Sequence, residues 1–577
     1  MGSGKEAEKK PSTEPGVADI AYFSMEVGFD PGMPTYSGGL GMLAGDTIRS
    51  AADLKLPFVA MTLLHRHGYF FQRLGADGSQ SEQPAEWAIS DFLAPVDKSV
   101  EIILAGRIVR ITAWVGMVTG VTGHVLPVYF LDTDLEGNGA WDRALTNNLY
   151  GGDSRYRLGQ EAVLGIGGIR MLRALGYSGL NRFHMNEGHS ALLTLELLEE
   201  ELRRSGSAEI LPEQIEAVRK RCVFTTHTPV PAGHDQFDQG LVREMLGDGK
   251  PFQQTKLFCH EGLMNMTFLA MNLSHYINGV AKSHGEVSRH MFAHYPIDSI
   301  TNGVHARTWV SPAFAELFDR HIPGWREDNF SLRYALGIPP EEIWWAHQAA
   351  KSALFQEVNR STNAGMDVDV LTLGFARRAA AYKRPALVFR DIETLKAIAE
   401  KHGGLQLIFA GKAHPKDGEG KDIIRDLFRI KASLGPRIRM AYLENYDMEL
   451  GRLLTAGTDI WLNTPEPPME ASGTSGMKAA MNGVPSLSIR DGWWLEGHIE
   501  GVTGWSIGPG MNGIGGPRND AEDASTLYAK LDQAIYPLFN ENRRGFIEIM
   551  RHSIALNASF FNTQRMVLQY LANAWFH

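Results

Sequence analysis

In the C-terminal half of this chain, short apolar runs alternate with longer amphipathic stretches, and this alternation is the feature that most constrains the fold. It predicts repeated βαβ units, and therefore a parallel sheet with helices on both faces. Because crossovers between parallel strands are right-handed, the carboxyl ends of the strands meet at one edge, where we expect the chemistry. The predicted strands of this half are residues 371–376, 405–410, 438–443, 459–463 and 484–489.

The N-terminal half is less regular but also predicts an α/β arrangement. A chain of 577 residues exceeds the size at which one core keeps growing, so the sequence predicts at least two domains and room for a cleft. The predicted strands of this half are residues 20–25, 58–64, 182–185 and 223–226, and helices are predicted at residues 191–203 and 339–358.

Four segments follow from these patterns. Residues 1–16 contain three lysines, two prolines and almost no apolar side chains, so they predict a disordered tail. Residues 17–310 are predicted to form an N-terminal α/β domain, and residues 311–555 a C-terminal Rossmann-like domain. Residues 556–577 mix apolar and polar side chains at helical spacing, and we expect a helix that packs back towards the N-terminal domain.

Composition excludes several functional classes. A net charge of -10 and a pI near 6.1 argue against a nucleic-acid partner. Cys222 and Cys259 are too few for a disulfide framework, and His184, Glu187 and His189 miss the spacing of a zinc motif by one residue, so we predict no metal. Neither a signal sequence nor an apolar stretch of about 20 residues is evident, so we expect a cytoplasmic protein without membrane contact.

A glycine-rich loop after the predicted strand at residues 459–463 is the first candidate for chemistry. It reads EASGTSGMKAAMNG over residues 470–483, and its glycines allow close backbone approach to an anion. Lys478 follows about one turn into the expected helix. A solvated lysine after an ordinary turn is the alternative interpretation.

A cluster of cations follows the predicted strand at residues 371–376. Arg377, Arg378, Lys383 and Arg384 lie within eight residues, where guanidinium groups can grip phosphate oxygens in pairs and an ammonium acts as a point charge. The alternative is a solvated basic helix start. Both candidate segments leave the same predicted edge of the sheet, which favours a shared anion site.

These two segments resemble the cofactor loop and the phosphate-binding segment of the glycogen (α-glucan) phosphorylase family. The resemblance continues in order through residues 36–40 (YSGGL), 186–189 (NEGH), 226–228 (THT), 301–303 (TNG) and 443–446 (LENY). It covers nearly all of residues 20–500, and it implies the roles of individual residues.

By that resemblance, Lys478 holds pyridoxal 5'-phosphate (PLP), and the cofactor is surrounded by Thr474, Ser475, Tyr446, Arg377 and Trp309. Arg378 and Lys383 bind inorganic phosphate, and the backbone oxygen of His227 supports the reacting sugar electrostatically. The remaining substrate-binding residues implied are Gly38, Gly39, Leu40, Asn302, Glu470, Ser472 and Gly473. Two phosphate groups side by side in a dry site would repel one another strongly, so nearby cations are required.

The resemblance also implies an architecture and a reaction. The architecture is GT-B, in which two Rossmann-like domains, one binding glucan and one binding PLP, face each other across a deep cleft. The reaction is the retaining phosphorolysis of an α-1,4-glucan or maltodextrin by inorganic phosphate, which yields glucose 1-phosphate with the PLP phosphate as acid and base. The oligomeric state stays open, with a homodimer as one option.

Two positions depart from the animal and plant members of the family. Ser475 and Gly476 replace a Gly-Asn pair, and Asp447 stands where those members have arginine. Both changes resemble a bacterial and archaeal branch, and both affect the expected hydrogen bonds to the cofactor phosphate.

Other functions remain as alternatives at this stage. A glucan synthase of the same architecture would use a nucleotide sugar, but Tyr36 stands where such enzymes carry the lysine of a KTGGL motif. A catalytically silent glucan-binding protein is a second alternative, which the set of Lys478, Arg378 and Lys383 disfavours. A glycosidase with two carboxylates is a weaker one, because the sequence does not reveal two acids at the required separation.

Overall fold

The structure, a computed structural model, describes residues 18–230, 233–508 and 519–576. The tail predicted at residues 1–16 therefore lies outside the described residues. Two sheets covered by helices dominate the fold, which is α/β as the sequence predicts. Within these ranges, no helix combines the length and the apolar character needed to cross a bilayer.

A nine-stranded sheet forms the centre of the N-terminal half of the described chain. In chain order the strands of this half are β1 (Ile20–Ser24), β2 (Phe58–Leu63), β3 (Phe71–Leu74), β4 (Gln80–Gln83), β5 (Ala94–Leu104), β6 (Arg107–Thr119), β7 (Val125–Asp132), β8 (Arg182–Asn186), β9 (Cys222–Thr225), β10 (Gln236–Asp238), β11 (Cys259–His260), β12 (Leu263–Asn265), β13 (Tyr276–Gly279) and β14 (Ile297–Ser299). The large sheet has the order β14-β13-β9-β8-β1-β2-β7-β6-β5, parallel from β14 to β7 and antiparallel at β6 and β5.

A six-stranded, wholly parallel sheet forms the centre of the C-terminal half of the described chain. Its strands are β15 (Thr372–Ala376), β16 (Leu405–Ala410), β17 (Ile438–Leu443), β18 (Ile460–Asn463), β19 (Ser486–Ile489) and β20 (Gly504–Ile507). The order β17-β16-β15-β18-β19-β20 reverses direction between β15 and β18, as in doubly wound nucleotide-binding folds. Every residue of β15, β16 and β18 is buried, which explains their continuous apolar sequence.

Helices cover both sheets. They are α1 (Gly39–Asp53), α2 (Ala140–Arg143), α3 (Ser154–Ala162), α4 (Gly168–Ala174), α5 (Leu193–Ser205), α6 (Pro212–Arg219), α7 (Gln239–Leu246), α8 (Met266–Asn272), α9 (Lys282–Met291), α10 (Ala306–Trp309), α11 (Pro312–His321), α12 (Pro340–Thr362), α13 (Ile392–His402), α14 (Gly418–Lys431), α15 (Met448–Gly457), α16 (Ser475–Ala480), α17 (Trp494–Gly497), α18 (Asp520–Lys530), α19 (Arg543–His552) and α20 (Thr563–Tyr570). Asp391, Asp417 and Asp447 cap the N-termini of α13, α14 and α15 by accepting backbone N–H groups of the first turn. These caps start a helix soon after β15, β16 and β17.

The structure confirms the strands predicted at residues 405–410 and 438–443, whose bounds agree with β16 and β17. The final stretch differs from the expected single helix. A π-helical turn at Ser553–Ala558 ends before Asn562, whose side chain caps α20 by accepting the N–H of Arg565. The break lets the chain pass over Gly303, where an added Cβ would lie 2.2 Å from the carbonyl carbon of Asn562.

The last helix packs on the N-terminal half of the chain. Thr563 hydrogen-bonds Ser50 of α1 through their hydroxyl groups, 2.6 Å apart. Tyr570 and Trp575 lie in the same buried cluster as Phe58 of β2. The first strands and the last helix therefore share one core.

A hairpin formed by β3 and β4 contacts the C-terminal half. The N–H of Gln72 donates to Oδ1 of Asn445 (3.2 Å), and the N–H of Asn445 donates to Oε1 of Gln72 (2.9 Å). Gln80 makes a similar two-way pair with the backbone of Ala413, at 2.9 and 3.0 Å. The loops after β16 and β17 are thereby fixed to the N-terminal half.

Candidate active site

Loops from the carboxyl ends of both large sheets line one cavity of about 980 Å³. In the C-terminal sheet, β15 and β18 are neighbours at the point where the strand order reverses, so the loops that follow them meet. The loop after β15 carries Arg377 and Arg378, and the loop after β18 carries the segment that ends at Lys478. Sheet order therefore brings two segments about 100 residues apart in sequence into one site.

The N-terminal sheet contributes a second reversal point, at β1. Its neighbours are β2 and β8, and the residues that follow β1 and β8 include Glu26 and Glu187. Glu26 accepts the N–H of Ser37 (2.5 Å) and the hydroxyl of Tyr150 (2.8 Å). The carboxylate thus fixes the loop that leads into α1.

Each residue to which the family resemblance assigns a role in the site lines this cavity. They are Gly38, Gly39, Leu40, His227, Asn302, Trp309, Arg377, Arg378, Lys383, Tyr446, Glu470, Ser472, Gly473, Thr474, Ser475 and Lys478. Arg384 does not join them, because its guanidinium pairs with Asp520 and Asp523 of α18 (2.6 and 2.9 Å). Of the predicted cation cluster, Arg377, Arg378 and Lys383 therefore line the cavity and Arg384 does not.

Lys478 is a buried amine on α16, and its Nζ lies 3.5 Å from the centroid of the Trp309 ring. Burial lowers the pKa of Lys478 to about 8, and the nearby Asp46 carboxylate acts in the opposite direction. Within residues 18–230, 233–508 and 519–576, Lys478 forms no ion pair with a carboxylate. A substantial fraction of this amine is therefore neutral and nucleophilic near pH 7 to 8.

Glu470 lies between two of the cations. Its Oε2 is 2.8 Å from Nη2 of Arg377 and also forms an ion pair with Nζ of Lys383. Burial alone would raise the pKa of Glu470, but the charges of Arg377 and Lys383 outweigh burial and lower it to about 2. Arg378 is exposed to the cavity and has no carboxylate partner in the described part of the chain. Three cations against one carboxylate leave this wall with excess positive charge, which suits an anion.

The glycine-rich loop fits its surroundings closely. Gly473 has φ +69°, a left-handed conformation that favours glycine. A Cβ on Gly476 would lie 2.8 Å from the ring of Trp493, and the hydroxyl of Ser475 accepts the indole N–H of Trp461 (3.0 Å). The Ser-Gly pair that departs from the animal and plant sequences is therefore matched to two tryptophans of this chain.

Asp447 also has a structural account. Its carboxylate accepts the N–H of Leu450 (2.9 Å) as the N-cap of α15, next to the cavity-lining Tyr446. Lys412 lies near this carboxylate and lines the same cavity; burial lowers the pKa of Lys412 to about 8. The position that holds arginine in the animal and plant members thus serves helix capping here.

His227 is held by two neighbours. Its backbone N–H donates to Oε2 of Glu187 (2.7 Å), and its Nε2 lies 2.6 Å from Oδ1 of Asn186. Burial lowers the pKa of His227 to about 3, so the imidazole is neutral at pH 7. Glu187 adopts φ +74°, an uncommon conformation for a residue with a side chain, and Oε2 of Glu187 also accepts the hydroxyl of Thr228 (3.0 Å).

Backbone and amide groups complete the N-terminal wall. An added Cβ on Gly38 or Gly39 would meet no atom within 4 Å, so the N-terminus of α1 opens directly onto the cavity. Asn302 is buried, and its Oδ1 has no hydrogen-bond partner within the described residues. A ligand group in the cavity would satisfy this acceptor.

Sequence reasoning missed several side chains of the cavity wall. They are Glu26, Tyr69, Tyr150, Arg157, His189, Asp235 and Lys412. Glu26 directly follows the buried strand β1, and an acid at that place was the available signal. Arg157 lies 4.6 Å from the Tyr150 ring and pairs with Asp235 (2.9 Å), contacts that sequence spacing does not reveal.

The doubly wound α/β fold and the cation-rich cavity at the points where strand order reverses define a class: an α/β protein that binds an anionic ligand between its two sheets. A family model for carbohydrate phosphorylases matches residues 233–500. Maltodextrin phosphorylase of Thermococcus litoralis is 38% identical over 96% of this chain and 70% of its own length. Glycogen phosphorylase of Mycobacterium tuberculosis is also 38% identical, over the same shares of the two chains, and that of Aquifex aeolicus is 34% identical over 96% and 85%. The chain belongs to the carbohydrate phosphorylase family.

Proposed function

We propose that this protein is an α-1,4-glucan phosphorylase. It removes the terminal glucose at the non-reducing end of glycogen or maltodextrin with inorganic phosphate and releases glucose 1-phosphate. The observation that carries the proposal is the meeting in one cavity of a buried lysine, Lys478, that forms no direct ion pair within the described residues, and an excess of cations. The names of the relatives, maltodextrin phosphorylase and glycogen phosphorylase, support this substrate class.

The surroundings of Lys478 fit pyridoxal 5'-phosphate. The lowered pKa, about 8, supplies a reactive amine, and the buried indole of Trp309 supplies a flat apolar surface beside it. In this proposal Lys478 holds the cofactor, which is also bounded by the cavity-lining groups of Thr474, Ser475, Tyr446 and Arg377. When bound, the cofactor would supply a phosphate group that can act as a buried acid and base.

The cations of the C-terminal wall would bind the attacking anion. Arg378 is free to grip inorganic phosphate through two N–H groups, and Lys383 adds a point charge. The ion pairs of Glu470 hold Arg377 and Lys383 in place before the anion arrives, so the binding geometry is set in advance. Catalysis in such a site comes mainly from positioned charge.

The N-terminal wall would hold the sugar. The backbone N–H groups of Gly39 and Leu40 lie in the first turn of α1, where the helix dipole favours a negatively charged group such as the phosphate beside the sugar, whereas the N–H of Gly38 donates to Glu26 (3.3 Å). The unsatisfied Oδ1 of Asn302 can accept a sugar hydroxyl, and the backbone oxygen of His227 would support positive charge at the reacting carbon. On the opposite wall, Glu470, Ser472 and Gly473 complete the glucose site.

The architecture belongs to the same proposal. We assign residues 17–310 to a glucan-binding domain, residues 311–555 to a PLP-binding domain and residues 556–577 to a helical segment that returns to the first domain. The confinement of each large sheet to one half of the chain supports this division. The cavity lining, drawn from strand ends of both sheets, supports two Rossmann-like domains facing each other in a GT-B arrangement.

The proposal is tested by the absorbance spectrum of the purified protein, borohydride reduction and peptide mapping of the labelled lysine. We expect the label on Lys478, and phosphate-dependent release of glucose 1-phosphate from maltodextrin. Lys478→Ala should lose both, whereas Lys396→Ala should lose neither, because Lys396 is a partly exposed residue whose amine pairs with Glu393 on its own helix. Glucan synthesis from a nucleotide sugar, or cofactor binding that survives in Lys478→Ala, would overturn the assignment.

A further inference from the structure

Asp46 lies on α1, seven residues beyond the glycines that open onto the cavity, and its side chain is buried beneath the cavity wall. Its Oδ2 accepts two hydrogen bonds, one from Nε1 of Trp309 (2.7 Å) and one from the backbone N–H of His305 (3.1 Å). Its Oδ1 lies 3.4 Å from Nη1 of Arg49. Both carboxylate oxygens therefore have polar partners, and one of them fixes the plane of the Trp309 indole.

The orientation of that indole matters because its other contact is the reactive amine. The Trp309 ring centroid lies 3.5 Å from Nζ of Lys478. From the other side, Nδ2 of Asn482 donates to the backbone oxygens of Trp309 (2.8 Å) and Lys478 (3.2 Å), which ties α10 to the helix that carries the lysine. Trp309 is thus held by α1 through its side chain and by the lysine helix through its backbone.

We infer that Asp46 is a positioning residue for Lys478: it holds the Trp309 indole against the amine and supplies the amine with its counter-charge. The inference rests on the proposed role of Lys478 as the residue that holds the cofactor. Asp46 does not line the cavity, so the N-terminal half would contribute to the lysine site through a buried residue of α1. In this inference, the carboxylate of Asp46, outside the cavity, influences the position and protonation of the Lys478 amine inside it.

Electrostatics supports the geometry. Burial lowers the pKa of Lys478, and the Asp46 charge is the one that opposes this shift. Among the other charged groups of this wall, Arg377 and Lys383 pair with Glu470 and Asp447 caps α15, whereas Arg378 is a cation and so cannot oppose the shift. Tyr446 is neutral, because burial raises its pKa well above the usual value. Asp46 is therefore the carboxylate whose removal should change the protonation of the amine.

The test uses the full chain freed of cofactor and measures the rate at which added PLP becomes attached to Lys478. Borohydride traps the attached label, and peptide mapping quantifies it at each pH. In Asp46→Asn the midpoint of the pH profile should move down by about one unit, because an acceptor for the indole remains but the charge is gone. A role limited to stability would reduce labelling at every pH without moving the midpoint.

Asp53→Asn is the matched control. Asp53 lies on the same helix and contacts the same loop through His305 (2.8 Å), but it has no contact with Trp309 or Lys478 within the described residues. Its midpoint should stay where it is in the unsubstituted protein. Equal midpoints in all three proteins, or equal shifts in both variants, would overturn the inference.

A second measurement tests whether Asp46 acts through the indole. In the loaded protein, Asp46→Asn should speed release of the cofactor, and the fold-change should shrink in a Trp309→Phe background, where a smaller aromatic ring replaces the indole and the N–H is lost. The same fold-change in both backgrounds would contradict the inferred path through Trp309. If Lys478 of the unsubstituted protein takes no label at all, the proposed function fails first, and the inference fails with it.

Discussion

The two walls of the cavity carry opposite charge. Among the described cavity-lining residues, the C-terminal wall has six cationic side chains and two carboxylates, whereas the N-terminal wall has four carboxylates and one arginine. The cations come from loops after β15, β16 and β18, whereas the four carboxylates come from the loops after β1 and β8, the segment before α3 and the segment between β9 and β10. In the proposed function, inorganic phosphate is bound chiefly by the cationic wall, whereas the acidic wall contributes mainly to the sugar site.

The largest effect is expected from the cationic wall. Arg378→Ala should reduce kcat/KM for inorganic phosphate by on the order of 1000-fold, because two charge-assisted hydrogen bonds are lost. Arg378→Lys keeps the charge but not the paired geometry, so it should recover only part of this loss. Initial rates at varied phosphate measure both, with the exposed Arg390→Ala as control. An unchanged KM for phosphate in Arg378→Ala would show that the wall does not bind the anion.

A smaller effect is expected from the acidic wall, and it should change the use of maltodextrin rather than the use of phosphate. Glu187→Gln weakens the acceptor of the His227 N–H and the Thr228 hydroxyl while keeping its shape. The value of kcat/KM for maltodextrin should fall by roughly 30-fold, and the KM for phosphate should stay within about twofold. Glu199→Gln on the nearby helix α5 is the control. Equal effects on maltodextrin and on phosphate would contradict the proposal that the two walls bind different substrates.

A third effect, on stability rather than on rate, concerns an acid behind the cationic wall. Asp491 accepts the N–H of Glu470 (2.9 Å), and burial raises the pKa of Asp491 from 3.8 to about 7. Between these values the folded protein binds more protons than the unfolded chain, so this group lowers the free energy of unfolding as pH rises. The loss between pH 5 and pH 7 is about 2 kcal/mol.

Asp491→Asn should abolish that pH-dependent loss, whatever constant effect the substitution has. Urea unfolding at pH 5 and pH 7.5 measures the difference, and Asp426→Asn, half-exposed on α14, serves as the comparison. An identical pH dependence in Asp491→Asn and the unsubstituted protein would mean that this carboxyl is already ionised at pH 5.

The C-terminal half was the more predictable of the two. Its strands β15, β16 and β18 are buried throughout and β17 is mostly buried, with Arg439 exposed, so β16 and β17 stand out as largely apolar runs with clear ends. The antiparallel strands β5 and β6 were not predicted, because residues such as Lys98 and Glu101 on their exposed positions break the apolar pattern. The short β20, which begins with Gly504, also lacks a strand signal.

The site was predicted as a set of residues but not as an arrangement. The family motifs identified many of the cavity-lining residues. The pairing of Glu470 with Arg377, however, depends on β15 and β18 being neighbours, and local sequence does not determine the order of strands in a sheet. Asp46 escaped notice because a single acid within a helix has no distinctive spacing. Its importance appears only when the Trp309 indole is seen to rest on it.

The shared core of the first strands and the last helix has a consequence for synthesis on the ribosome. Trp575 packs 5.8 Å from the ring of Phe58, so the layer begun by β1 and β2 gains these large side chains only after residue 575 has been synthesised. Until then, apolar surface around Phe58 and Tyr22 stays open to chaperones or to other nascent chains. The N-terminal half therefore cannot finish folding ahead of the C-terminal half, although it emerges first.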